Sequence, residues 1–183
     1  MGVLFDLLAA PFVVRKLQQA RILLETVTPL KTDCGRLCDG ACCKADETGE
    51  NGMLLFPFEE RFYQKPVEGF AFRLTEDDGI HKNGKRLICE GHCPREHRPL
   101  ACRIFPLRIR VLSEQGGNVN RAVAELDPRA WAVCPLLEEG GLRAMSRDFI
   151  KAVEEVGALF CKNVYLLEAL LNEQKFIDDS RRL

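Results

Sequence analysis

Residues 145–171 read MSRDFIKAVEEVGALFCKNVYLLEALL, and the apolar positions Met145, Phe149, Val153, Val156, Phe160, Val164, Leu167 and Leu171 return at steps of four or three. Side chains at that spacing share one face of an α-helix, leaving charged residues to the other. The Gly140-Gly141 break precedes the run, so a long C-terminal helix is expected over residues 143–177. A helix with one apolar face needs a surface to cover it, and the rest of the chain has to supply that surface.

Toward the N-terminus, Val13, Leu17, Ala20, Leu24 and Val27 repeat the same step between Pro11 and Pro29. Proline fits the first turn of a helix and ends one that runs into it, which predicts a helix over residues 11–28 with Pro11 as its first residue. Leu4, Phe5, Leu7, Leu8 and Phe12 lie at or before its start, where packing onto the domain is a simpler role than membrane-surface attachment. Between the two helices, Pro57, Glu59 and Glu60 mark the acidic first turn of a short helix running to Tyr63. Phe70–Leu74, Lys85–Cys89, Leu107–Leu112 and Asn118–Leu126 are strand candidates, with Asn83-Gly84 as a hairpin turn. The expected class is therefore α+β: an N-terminal helix and a long C-terminal helix packed on a small antiparallel sheet, with irregular metal-binding cysteine loops. Because 183 residues with 46% hydrophobic content suffice for one core, residues 1–183 read as a single domain whose cysteine-bearing part spans about residues 31–136.

A formal net charge of -1 gives no global attraction to nucleic acid or membrane. The apolar stretch from Val3 to Val14 is shorter than the roughly 20 residues a spanning helix requires. Asp6 interrupts it and Arg15 and Lys16 follow it, unlike a secretory signal. The expectation is a cytoplasmic protein with no transmembrane segment.

That compartment decides how nine cysteines are read, at positions 34, 38, 42, 43, 89, 93, 102, 134 and 161. Under reducing conditions disulfides do not persist, so metal ligation is the stronger reading. The first group runs Cys34-Gly-Arg-Leu-Cys38-Asp-Gly-Ala-Cys42-Cys43 and the second Cys89-Glu-Gly-His-Cys93-Pro94, with Cys102 and Cys134 completing eight candidate ligands. Gly35 and Gly40 let backbone N–H groups approach the sulfurs. Adjacent side chains diverge, so Cys42 and Cys43 either serve two centres or divide into one ligand and one neighbour. Eight thiols fit two four-thiolate sites or one cluster with spares. The pairs Cys93-Pro94 and Cys134-Pro135 tilt the choice from zinc toward an iron–sulfur centre, because a ferredoxin cluster run ends in Cys-Pro. Cys161 lies on the helical seam and reads as a small core residue. His81, His92 and His97 are candidate ligands, and His92, next to Cys93, is the best placed of them to complete a Cys3His site.

From Lys82 to Arg110 the chain carries eight basic residues against Glu90 and Glu96. A four-thiolate centre is anionic, and Arg98 and Arg103 are placed to offset its charge as cofactor-binding residues. Nucleic-acid binding is disfavoured, since Phe105 is the one aromatic interleaved with these charges. No phosphate-binding loop, dinucleotide fingerprint, zincin helix or nucleophile elbow occurs, and no catalytic residue stands out.

The vicinal pair Cys42-Cys43 and the segment Arg98-Pro99-Leu-Ala-Cys102-Arg103-Ile-Phe105-Pro106, in the order Cys34, Cys38, Cys42-Cys43, Cys89, Cys93, Cys102, Cys134-Pro135, resemble the YkgJ-type cysteine-cluster family over about residues 31–136. That family is described as a zinc- or iron-chelating domain. The resemblance implies a metal-binding domain with the eight cysteines as ligands, and larger proteins with a similar cluster include flagellin lysine N-methylases. The gaps from Cys34 to Cys38 and from Cys38 to Cys42 hold three residues where the family pattern has two. The functional expectation is a cysteine-cluster protein holding an iron–sulfur centre, of the 4Fe-4S type in preference, for redox or methyl-transfer chemistry. The alternative is a non-catalytic zinc-binding module whose partner is another protein.

Overall fold

A computed structural model describes residues 2–31, 34–36, 38–43, 52–89, 93–113, 120–138 and 140–180. The first helix, α1, runs from Gly2 to Leu23 and buries Ala10, Val13, Leu17 and Ala20 completely, with Leu24 following just beyond its end. The expected stripe is the buried one. The start differs: Pro11 lies inside the helix, where its exposed ring faces away from the core and its missing N–H removes one bond of the ladder.

Two small antiparallel sheets replace the single one expected. Strands β1 (Met53–Leu54), β2 (Phe72–Glu76) and β3 (Lys85–Cys89) form the first, in the order β1-β3-β2, with Phe72 opposite Cys89 and Glu76 opposite Lys85. Asn83 takes a left-handed conformation (φ 58°) at the end of the β2–β3 connection, and the Gly84 N–H donates to the His81 carbonyl at 3.1 Å. Asn83-Gly84 thus closes a longer loop rather than forming a two-residue turn. A short helix, α2 (Leu100–Ile104), leads into β4 (Leu107–Ser113), which pairs with β5 (Asn120–Leu126) as the second sheet. Of the run expected from Asn118, the first two residues lie outside the described residues.

The C-terminal helix is divided into α3 (Arg147–Phe160) and α4 (Val164–Ser180). Met145, Phe149, Val153, Val156 and Phe160 are buried as their spacing predicts, but beyond Phe160 the buried face shifts to Leu166, Ala169, Leu170 and Ile177. Val164 is 70% exposed. The change of face follows from Asn163, whose Oδ1 accepts the N–H groups of Tyr165 and Leu166 at 3.1 and 3.2 Å and starts a new helix.

One large apolar core joins α1, α2, β4, β5, α3 and α4. A second cluster of Leu55, Tyr63, Phe70, Leu87 and Cys93 underlies the first sheet, and Phe62 packs against both. Among the described residues no helix is long and apolar enough to cross a membrane.

Candidate metal centre and the adjoining cleft

The first cysteine group folds into two short 3-10 turns, Cys34–Arg36 and Ala41–Cys43. The Cys38 N–H donates to the Cys34 carbonyl at 3.3 Å and the Gly40 N–H to the Gly35 carbonyl at 3.0 Å, so the chain coils tightly. Asp39 (φ 49°) and Gly40 (φ 61°) adopt the left-handed conformation that reverses its direction between the two turns.

Cys134 approaches from the other end of the cysteine-bearing region. It sits at the N-terminus of the 3-10 turn Pro135–Leu137, half-buried, with the backbone N–H groups of Leu136 and Leu137 near its sulfur but no cap hydrogen bond from its side chain. Burial pushes the Cys134 thiol up; the Leu136 N–H opposes this, and the nearby Cys38 thiol raises it further. Two cysteines remote in sequence therefore lie within electrostatic reach of each other. Cys42 and Cys102 both line a cleft of about 320 Å³. Val133, beside Cys134, lines the same cleft.

Cys89 and Cys93 sit farther into the first sheet. Cys89 ends β3, and Cys93 is buried with Leu55, Tyr63 and Phe70. The side chain of Cys43, and all of His92, lie outside the described residues. The eight cysteines whose side chains are described carry thiols rather than disulfides, and Cys161 packs half-buried against the large core. Among the described residues no three cysteine, histidine or carboxylate side chains gather into one metal-holding set.

The expected charge-offsetting arginines occupy different settings. Arg98 lines the cleft. Arg103, only 4% exposed, directs Nε to the Arg98 carbonyl at 3.0 Å, Nη1 to the Arg21 carbonyl at 3.2 Å and Nη2 to the Glu96 carbonyl at 2.8 Å. Burial, then the charges of Arg21 and Arg95, push its pKa down to about 10, so it stays cationic at neutral pH. Arg95 donates to the carbonyls of Leu24, Glu25 and Val27. The two side chains thus satisfy carbonyls at the end of α1, where the helix dipole favours positive charge. His81 is likewise engaged by the backbone, with Nε2 at 2.9 Å from the Leu55 carbonyl oxygen.

Three further residues shape the site without a local motif to announce them. Glu59 is fully buried and accepts the N–H of Leu100, the first residue of α2, which carries Cys102. Arg108 lines the cleft and is held by Glu125 and Asp178. Arg129 is clamped by Asp127 and Glu173, all three on the cleft wall. A signal for Arg108 does exist in the strand register, which sets it directly across from Glu125. The chain matches no family model, no characterised protein and no solved structure.

Proposed function

We propose that this chain is a cytoplasmic metal-binding protein of the YkgJ-type cysteine-cluster kind, in which most of Cys34, Cys38, Cys42, Cys43, Cys89, Cys93, Cys102 and Cys134 hold an iron–sulfur centre. The observation that carries the reading is that Cys42 and Cys102, sixty residues apart, line one cleft, with Cys38 and Cys134 within electrostatic reach of each other. Segments so far apart in sequence have no packing need to bring thiols together, whereas a soft metal centre needs them.

The donor set fits such a group. All eight candidates are thiols, and the N–H groups of Leu136 and Leu137 at Cys134 are the kind of donors that stabilise sulfur-borne negative charge. When bound, an iron–sulfur centre would supply one-electron redox chemistry or support methyl transfer. The protein's own part is to present thiolates from four segments and to hold them. Glu59 fixes the start of α2 beneath Cys102, and Arg95 and Arg103 tie the segment ahead of α2 to α1.

The test is anaerobic purification followed by iron, zinc and acid-labile sulfide analysis and an absorption spectrum. The expected result is a coloured protein with iron and sulfide in comparable amounts. A colourless protein with stoichiometric zinc and neither iron nor sulfide would overturn the proposal in favour of a structural zinc module. That module should unfold on chelation, because structural zinc contributes its binding energy to folding.

A further inference from the structure

We infer that the cleft beside Cys42 and Cys102 binds a small organic carboxylate anchored by Arg108. Its volume of about 320 Å³ lies within the range of pockets that take small ligands. Phe56, Ile104, Phe105 and Ile109 give it apolar walls suited to a hydrocarbon body.

The anchor follows from how Arg108 is satisfied. The side chain is 4% exposed; Nε donates to Glu125 Oε1 at 2.6 Å, and Nη2 reaches Glu125 and Asp178. Nη1 has no acceptor among the described residues. Arg110 contacts the same two carboxylates, so two arginines balance two acids without calling on Nη1. A buried charged donor left over in this way is unfavourable, and a carboxylate oxygen would complete it with a charge-assisted hydrogen bond.

The surrounding charges limit what that ligand is. Arg86 is engaged by Asp77, and Arg129 by Asp127 and Glu173. Arg98 adds a further positive charge to the wall, so the cleft as a whole suits an anionic ligand. A ligand in this cleft shares its walls with Cys42 and Cys102, which sets it beside the proposed centre.

The experiment is calorimetric titration of the full chain with hexanoate and with hexanamide, on wild type and on Ala101→Leu. Ala101 lines the cleft and takes no part in the ion pairs around Arg108, so the variant narrows the cleft and leaves the anchor in place. Hexanoate is expected to bind wild type at least about tenfold more tightly than hexanamide, and to lose that binding in a folded Ala101→Leu chain. No hexanoate binding at about 10 mM, equal affinity for the amide, or unchanged affinity in Ala101→Leu would each overturn the inference. It stands on Arg108 and the cleft walls alone. Protein found to hold neither iron nor zinc is expected to bind hexanoate all the same, so the two proposals fail separately.

Discussion

Glu59 Oε1 accepts the backbone N–H of Leu100 at 2.8 Å, joining two points 41 residues apart in sequence. Its Oε2 accepts the Phe56 N–H at 3.0 Å, and an Arg21 nitrogen stands 3.9 Å from Oε1. A fully buried carboxylate thus fastens the turn after β1 to the helix that carries Cys102. Burial raises its pKa, while the Leu100 and Phe56 N–H groups, then Arg21 and Arg103, hold it partly down.

Replacing Glu59 by Ala leaves both N–H groups without acceptors and should cost about 3 kcal/mol in urea unfolding. Glu59→Gln keeps one acceptor and should cost less. The pH dependence has a definite sign. Because the folded pKa is raised, the native chain holds more protons than the unfolded one between the ordinary carboxylate value and the raised one. The stability from this group is full below the ordinary value and declines as pH rises through the raised one. Gln does not titrate, so the advantage of wild type over Glu59→Gln should shrink as pH rises from about 4 through neutrality. An advantage that grows over that interval would mean the carboxylate is held below its ordinary value.

Helix and strand periodicity made much of the fold readable. Lys85–Cys89 is a strand with its expected bounds, and Val13, Leu17 and Ala20 form the buried stripe of α1, which Leu24 continues just past its end. What periodicity does not carry is the partner of each strand, and the four candidates divide into two sheets because, among the described residues, β4 and β5 pair only with each other. The cysteine loops were legible as a candidate ligand set from composition alone, since clustered thiols need no geometry to be noticed. Glu59 was not, because its acidic neighbour Glu60 makes the pair resemble an exposed first turn. Its burial depends on N–H groups supplied by Phe56 and Leu100, one of which lies far along the chain.

The division of the C-terminal helix rests on Asn163. Its side chain caps α4, and Asn163→Ala should lower stability by about 1 kcal/mol, read as a shifted urea midpoint with an unchanged slope. Asn163→Asp keeps an acceptor at the cap and should retain most of that stability. Equal losses in the two variants would remove the capping account of why the buried face changes after Phe160.

At Gly157, α3 packs tightly against the second sheet. A Cβ added there would stand 2.5 Å from the Ala122 Cβ and 2.8 Å from Ile109 Cγ2, well inside contact distance. Alanine favours helices over glycine by about 1 kcal/mol, but overpacking of this kind costs more, and Gly157→Ala should be destabilising by about 2 kcal/mol. Adding Ala122→Gly opens the space opposite and should restore part of the loss. Independent, additive effects in the double variant would show that the two residues do not meet.

The ligand set makes the sharpest division among the cysteines. Cys134 feels the N–H groups of Leu136 and Leu137 and the Cys38 thiol besides its burial, while Cys161, at the end of α3, is pushed up by burial alone and has no other cause for its shift. A thiol held ready for a metal needs the first environment; a core thiol needs only the second. Serine at Cys38, Cys42, Cys102 or Cys134 should therefore lower the metal bound per chain, whereas Cys161→Ser should keep the full complement and change only stability, by about 1 kcal/mol. Metal analysis alongside circular dichroism separates loss of ligand from loss of fold. A folded Cys161→Ser chain that loses as much metal as Cys134→Ser would place a ligand on the C-terminal helices and break the set of eight.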